Sequence, residues 1–260
     1  MNGELHQLLL ITALGNGFLI AGSDSAHPEL EQHESLKIQF KNNHRSCGWR
    51  EWLQEIRQQG GERIMLVSSS EPHSYWQTSG FAGGGRPIGV VVLGTGVNRV
   101  WTPSWQFDQR GSRQLWNVTY TEKELQTGSM DSRQFIPLEV CSSRLHQVLQ
   151  GIGELADAIE ESFWREKFFE PGLNILKGIL PVPKMSFDLP AIYSEQASRM
   201  LNAAYKSWVF GGMGSWNDSP PYSAYQHQKE KEYEELTSQL YEALLGCVQS
   251  AVNSVIFQTG

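Results

Sequence analysis

Cysteine is scarce in this chain and unpaired. Only Cys47, Cys141 and Cys247 occur, an odd number with no Cys-x-x-Cys among them, which speaks against a disulfide framework and predicts reduced thiols in a cytoplasmic protein. Charge is thin too. Asp, Glu, Lys and Arg make up 19% of the residues, below the roughly 25% usual for soluble domains. The net charge of −7 is spread over 260 residues without a basic stripe, so no nucleic-acid partner is expected. Long apolar runs are lacking. The one candidate, from Leu8 to Gly22, is cut by Gly15-Asn16-Gly17 and follows Glu4 rather than a positive leader, so neither a membrane span nor an export signal is expected.

The motifs of familiar chemistry are incomplete. His44 and Cys47 stand three apart, but the histidines at 6, 27, 33, 73, 146 and 227 add no paired arrangement, and two ligands do not make a zinc site, so neither metal nor cofactor is expected. The run from Gly94 to Arg99 begins like a dinucleotide fingerprint. Arg99 replaces its third glycine and a strand-like segment follows, so a hairpin turn is the better reading. Ser215 lacks the second glycine of a nucleophile elbow and follows a helix instead of a strand. The carboxylates Glu154, Asp157, Glu160 and Glu161 have no second cluster or Glu-x-x-His beside them and read as a solvated helix face.

What the chain does have is aromatic and glycine-rich connection. Nine tryptophans occur, and the link from Trp208 to Tyr225 holds Gly211, Gly212 and Gly214 among Phe210, Trp216, Tyr222 and Tyr225, more aromatic area than a plain connector needs. Asn217-Asp218-Ser219-Pro220 within it reads as a side-chain-capped turn. A second glycine cluster, Gly83 to Gly85, precedes Arg86 and could set a guanidinium and backbone amides around an anion, although no Lys-Ser/Thr pair follows to make a P-loop.

Periodicity supplies the elements. Residues 4 to 14 suit a helix, 15 to 17 a turn and 18 to 21 a strand. Leu36, Ile38 and Phe40 alternate along a second strand. Ser46 can cap a helix from Cys47 to about Gln59 whose buried face is Trp49, Trp52, Leu53 and Ile56, and Gly60-Gly61 ends it. The apolar run Arg63 to Val67 follows, which predicts a parallel partner for Leu36 to Phe40. Strands from Pro87 to Leu93, Arg99 to Phe107 and Gln114 to Tyr120 read as an antiparallel meander. The remainder predicts helices at 138 to 169, 191 to 209 and 223 to 256. The first carries a stripe running from Leu145 to Phe163, and the last carries Tyr233, Leu236, Leu240, Leu244, Val248, Ala251 and Val255. Gly151 and Gly153 call for a close packing partner.

The expected fold is therefore α+β: a mixed, largely antiparallel sheet in the amino-terminal half, packed by one internal helix and by long carboxyl-terminal helices. One unit over 1 to 260 is expected, sheet-rich to 125 and helical from 138 to 257. Two function classes follow. The first is a non-catalytic or regulatory protein acting through protein contacts, including a homodimer that buries part of a helical stripe. The second is an enzyme or small-molecule binder with an anion-accepting pocket between loops 68 to 86 and 208 to 225. There Arg86 and His73 would receive the ligand, Trp216 and Tyr222 would wall it, and Asp218 or His227 would handle a proton.

Overall fold

A computed structural model describes residues 1–21, 30, 36–69, 75–81, 84–94, 99–110, 113–124, 135–182 and 188–256. Six strands form one sheet: β1 (Leu36–Lys41), β2 (Ser46–Cys47), β3 (Gly61–Ser68), β4 (Ile88–Gly94), β5 (Arg99–Arg110) and β6 (Arg113–Glu124). Their spatial order is β2-β1-β6-β5-β4-β3. The meander from β3 to β6 is antiparallel throughout, and β1 joins it parallel to β6. The protein is α+β, with this mixed sheet in its amino-terminal half and most of its helices in the other.

The sheet is amphipathic because its strands alternate. Register sets Leu36, Ile38 and Phe40 of β1 opposite Trp116, Val118 and Tyr120 of β6, so one apolar row continues into the next, and Phe40 stacks on Tyr120 at 5.0 Å. That match explains a correction: β1 pairs with β6, whereas β3, the expected parallel partner, lies at the opposite edge. Between them, helix α2 (Trp49–Gln58) crosses the apolar face, burying Trp49, Trp52, Leu53 and Ile56 as the spacing required. Its cap is Gly48 rather than Ser46; Ser46 and Cys47 pair instead with Lys41 and Phe40 as the short edge strand β2.

A second correction concerns the amino terminus. Residues 3 to 21 form one helix, α1 (Gly3–Ala21), running straight through the Gly-Asn-Gly run expected to turn. The reason is tertiary. A Cβ at Gly15 would lie 2.4 Å from Ile64 Cδ1, so glycine lets the helix press on β3. Asn16 then donates to the Ile64 carbonyl at 2.8 Å and accepts the Ile64 N–H at 2.7 Å.

The carboxyl-terminal helices are α3 (Leu138–Ala158), α4 (Ser162–Trp164), α5 (Glu170–Leu176), α6 (Glu195–Lys206), α7 (Pro220–Gln226) and α8 (Glu230–Asn253), with a π turn at Arg165–Phe169. The helices expected over 138 to 169 and 223 to 256 are each broken, after Ala158 and after Gln226. Phe163, expected on the buried stripe, is therefore carried outward and exposed. The helix expected from Ala191 begins at Glu195, where Ser194 Oγ accepts the Ala197 N–H at 3.2 Å. Gly151 does have its close partner, since a Cβ there would sit 3.3 Å from Leu236 Cδ2 of α8. Apart from Met65 and Val91, the buried apolar side chains of α1, the sheet, α3 and α8 belong to one cluster. Among the described residues no helix is long and apolar enough to cross a membrane.

Candidate ligand site

The two glycine-rich loops do meet, but backbone to backbone. A Cβ on Gly80 would fall 2.1 Å from the Gly211 carbonyl oxygen, so only glycine permits the approach. Trp216 is wholly buried between Trp164, Phe169 and Tyr233, and its indole N–H donates to Thr237 Oγ1 at 2.9 Å. It is part of the core. Asp218 Oδ2 accepts the Gly214 N–H at 2.7 Å, and Asn217 Oδ1 accepts the Ser215 hydroxyl at 2.6 Å, so both act within their own turn. The Arg86 guanidinium pairs with Glu242 of α8 and lies 5.5 Å over the Tyr75 ring, while its backbone N–H donates to the Tyr241 hydroxyl at 3.0 Å. His227 holds Nδ1 2.8 Å from the Ser223 carbonyl and Nε2 3.8 Å from Glu160; Tyr222 is exposed. His73 lies outside the described residues. No hydrogen bond or ion pair joins any two of the other five.

A different place has the character of a site. Where β1, β4 and β6, which run the same way, reach their carboxyl ends beneath the second half of α2, the sheet and helix diverge into a narrow cleft. Trp52 and Ile56 of α2, Val92 of β4 and Trp101 of β5 line its depth; Asn42, Glu55, Gln59 and Arg99 stand nearer its mouth. The enclosed cavity is small, about 50 Å³, room for about one or two water-sized groups. The cleft continues outward past Asn43, His44 and Glu122. Its back wall depends on close packing of the α2–β3 turn, since a Cβ at Gly94 would lie 2.0 Å from the Gly60 carbonyl oxygen.

The interior is aromatic and short of acceptors. Trp52 stacks on Phe40 at 4.0 Å, and Trp101 stands nearly perpendicular to Trp52 with centroids 5.5 Å apart. Trp52 and Trp101 are 1% and 4% exposed, yet among the described residues neither indole N–H has a hydrogen-bond partner. Each such buried donor costs about 1–3 kcal/mol. The mouth is polar and of both signs. Glu55 accepts from Arg45 at 2.9 Å, Asn42 at 3.2 Å and Gln59 at 3.1 Å, while Arg99 pairs with Glu122 at 3.1 Å and also donates to Gln59. Among the described residues no group of three or more His, Cys, Asp or Glu side chains is placed to hold a metal ion.

Sequence reading put Trp52 on a helical core stripe and Trp101 on a strand face, and both assignments hold. It could not show that the two rings meet, because helix periodicity and strand alternation each orient a residue only within its own element. No protein-family model matches the chain, and no curated protein and no solved structure shows significant similarity to it.

Proposed function

We propose that this protein binds a small polar molecule in the cleft beneath α2, with an acceptor group of the ligand, such as a carbonyl or carboxylate oxygen, received by the indole N–H groups of Trp52 and Trp101. The observation that carries the reading is that Trp52 and Trp101, whose buried indole N–H groups have no partner among the described residues, both line this cleft. Native interiors rarely leave such groups unpaired, and a ligand that satisfies both removes the cost. Arg99, Asn42 and His44 would engage polar groups nearer the mouth. Glu55 and Glu122 already accept from arginines, so the reading is binding rather than catalysis.

A thermal-shift screen of small carboxylates, amides and heteroaromatics against the wild type, Trp52→Phe and Trp101→Phe tests it. A ligand that stabilises the wild type should bind each variant about three- to tenfold more weakly, the loss of one hydrogen bond. A ligand whose affinity neither substitution changes would sink the assignment to this cleft.

Action through protein contacts is the second reading, and one observation favours it. Met213, Tyr222 and Tyr225 are 97%, 65% and 66% exposed on the α6–α7 link and on α7, and Phe163 is exposed on α4, which Glu161 ties to α7 through Ser223. The helical stripes that motivated a homodimer give it less support: Tyr233, Leu240, Leu244, Val248, Ala251 and Val255 are already buried within the chain. Sedimentation at high protein concentration separates self-association through the aromatic patch from a monomer.

A further inference from the structure

Cys141 and Cys247 face each other across the contact between α3 and α8. Cys247 Sγ lies 3.5 Å from the Cys141 carbonyl oxygen, and Cys141 Sγ lies 3.6 Å from the carbonyl oxygen of Gly246, the neighbour of Cys247. The two sulfurs thus lie against backbone carbonyls of the facing helices, which makes Cys141 and Cys247 neighbours across the contact. Both thiols are buried. The third cysteine, Cys47, belongs to β2 at the far side of the sheet from β3, which α8 adjoins.

We propose that Cys141 and Cys247 are a modification site, closing to a reversible intramolecular disulfide when a hydroperoxide reaches them. The Cys141 thiolate attacks one oxygen of hydrogen peroxide; the O–O bond breaks, leaving a sulfenic acid and a hydroxide that takes the thiol proton to become water. The Cys247 sulfur then attacks the sulfenic sulfur, the S–S bond forms, and the hydroxyl leaves with the Cys247 proton as a second water. Two electrons pass from the thiols to the peroxide.

The two sulfurs are suited to different parts. Cys141 sits in the opening turn of α3, where the helix terminus favours a thiolate. The hydrogen bond from Cys247 holds the Cys141 thiol below its ordinary range against the opposing effect of burial, with Ser250 and Arg144 assisting. The same hydrogen bond, with burial, pushes Cys247 well up. Its place at the start of α3 makes Cys141 the attacking sulfur, and Cys247, on the buried face of α8, the resolving one.

The test treats the folded full chain with a small excess of hydrogen peroxide, quenches it, unfolds it and counts free thiols by alkylation and peptide mass mapping. The count should fall from three to one, with the peptides of Cys141 and Cys247 linked and Cys47 alkylated, and dithiothreitol should restore all three. Cys141→Ser should keep both remaining thiols under the same treatment, whereas Cys247→Ser should keep Cys47 and hold Cys141 as a sulfenic acid that dimedone labels. Three thiols surviving in the wild type, loss of Cys47 first, or a link between chains would overturn the assignment. The wild-type map decides the matter even if a variant does not fold.

Discussion

Two asparagines do at the residue scale what a neighbouring strand would do for β3. Strand β3 ends the sheet, so the N–H and carbonyl groups of Ile64 and Leu66 point away from β4. Asn16 of α1 takes both groups of Ile64, and Asn253 of α8 takes both groups of Leu66, at 2.8 Å each. Each side-chain amide, with one acceptor and one donor side, copies the pairing face of a peptide and blocks an edge that would otherwise recruit another chain. Asn16→Ala or Asn253→Ala leaves a buried N–H and carbonyl without partners, so each should lower unfolding free energy by about 2–5 kcal/mol. The exposed Asn43→Ala should change it by less than about 0.5 kcal/mol. Urea denaturation compares the three, and equal midpoints would refute the edge role. This is also where local reading failed: Gly15-Asn16-Gly17 has the composition of a turn, and the partner that makes it helical lies 48 residues away.

At the scale of elements, the helices merged in the sequence reading are those whose stops carry no glycine. Gly60 and Gly178 take positive φ at the ends of α2 and α5, and the Gly60 stop was legible. At the ends of α3 and α7 the same left-handed position is filled by Glu160 and Gln228, with φ of 60° and 57°. The bonds of a Schellman ending are present at both: Glu161 N–H to the Ala156 carbonyl at 2.7 Å and Lys229 N–H to the Ala224 carbonyl at 2.8 Å. The two breaks also face each other, with Ser223 donating to Glu161 at 2.8 Å. Because a side chain in this conformation costs more than the extra backbone entropy of glycine, Glu160→Gly and Gln228→Gly should each raise stability by about 0.5–1 kcal/mol. A lowered melting temperature in both would contradict that account. By contrast, the buried face of α2 was readable in full, since its four apolar positions follow one helical stripe that stops at Gly60, although the helix starts at Trp49 rather than Cys47.

For the whole molecule, four tyrosines link folding to alkaline pH. Tyr120 donates to Gln7 at 2.6 Å, Tyr193 to the Val252 carbonyl at 3.0 Å and Tyr233 to the Trp216 carbonyl at 2.7 Å, while Tyr241 accepts from Arg86. Burial is the main cause that raises the pKa of all four. A raised folded-state pKa means that the unfolded chain loses these protons first. Stability from this source is complete below about pH 10 and falls as pH rises above it, by up to about 1.4 kcal/mol per pH unit for each tyrosine. Denaturation midpoints measured between about pH 9 and pH 11, alongside tyrosinate absorbance, should show unfolding and ionisation together. Ionisation of all the tyrosines without loss of fold would contradict it.

The alternation of Leu36, Ile38 and Phe40, the meander from Ile88 to Glu124 and the stripes of α2, α3 and α8 are properties of adjacent residues, and the α+β class follows from them without coordinates. Which strand lies beside β1, which side chains close the edge of β3, and that Trp52 meets Trp101 over an unfilled cleft were decided only in three dimensions. The physical reason is that period fixes which way a side chain points from its own element, whereas pairing and packing depend on complementary surfaces from parts of the chain far apart in sequence.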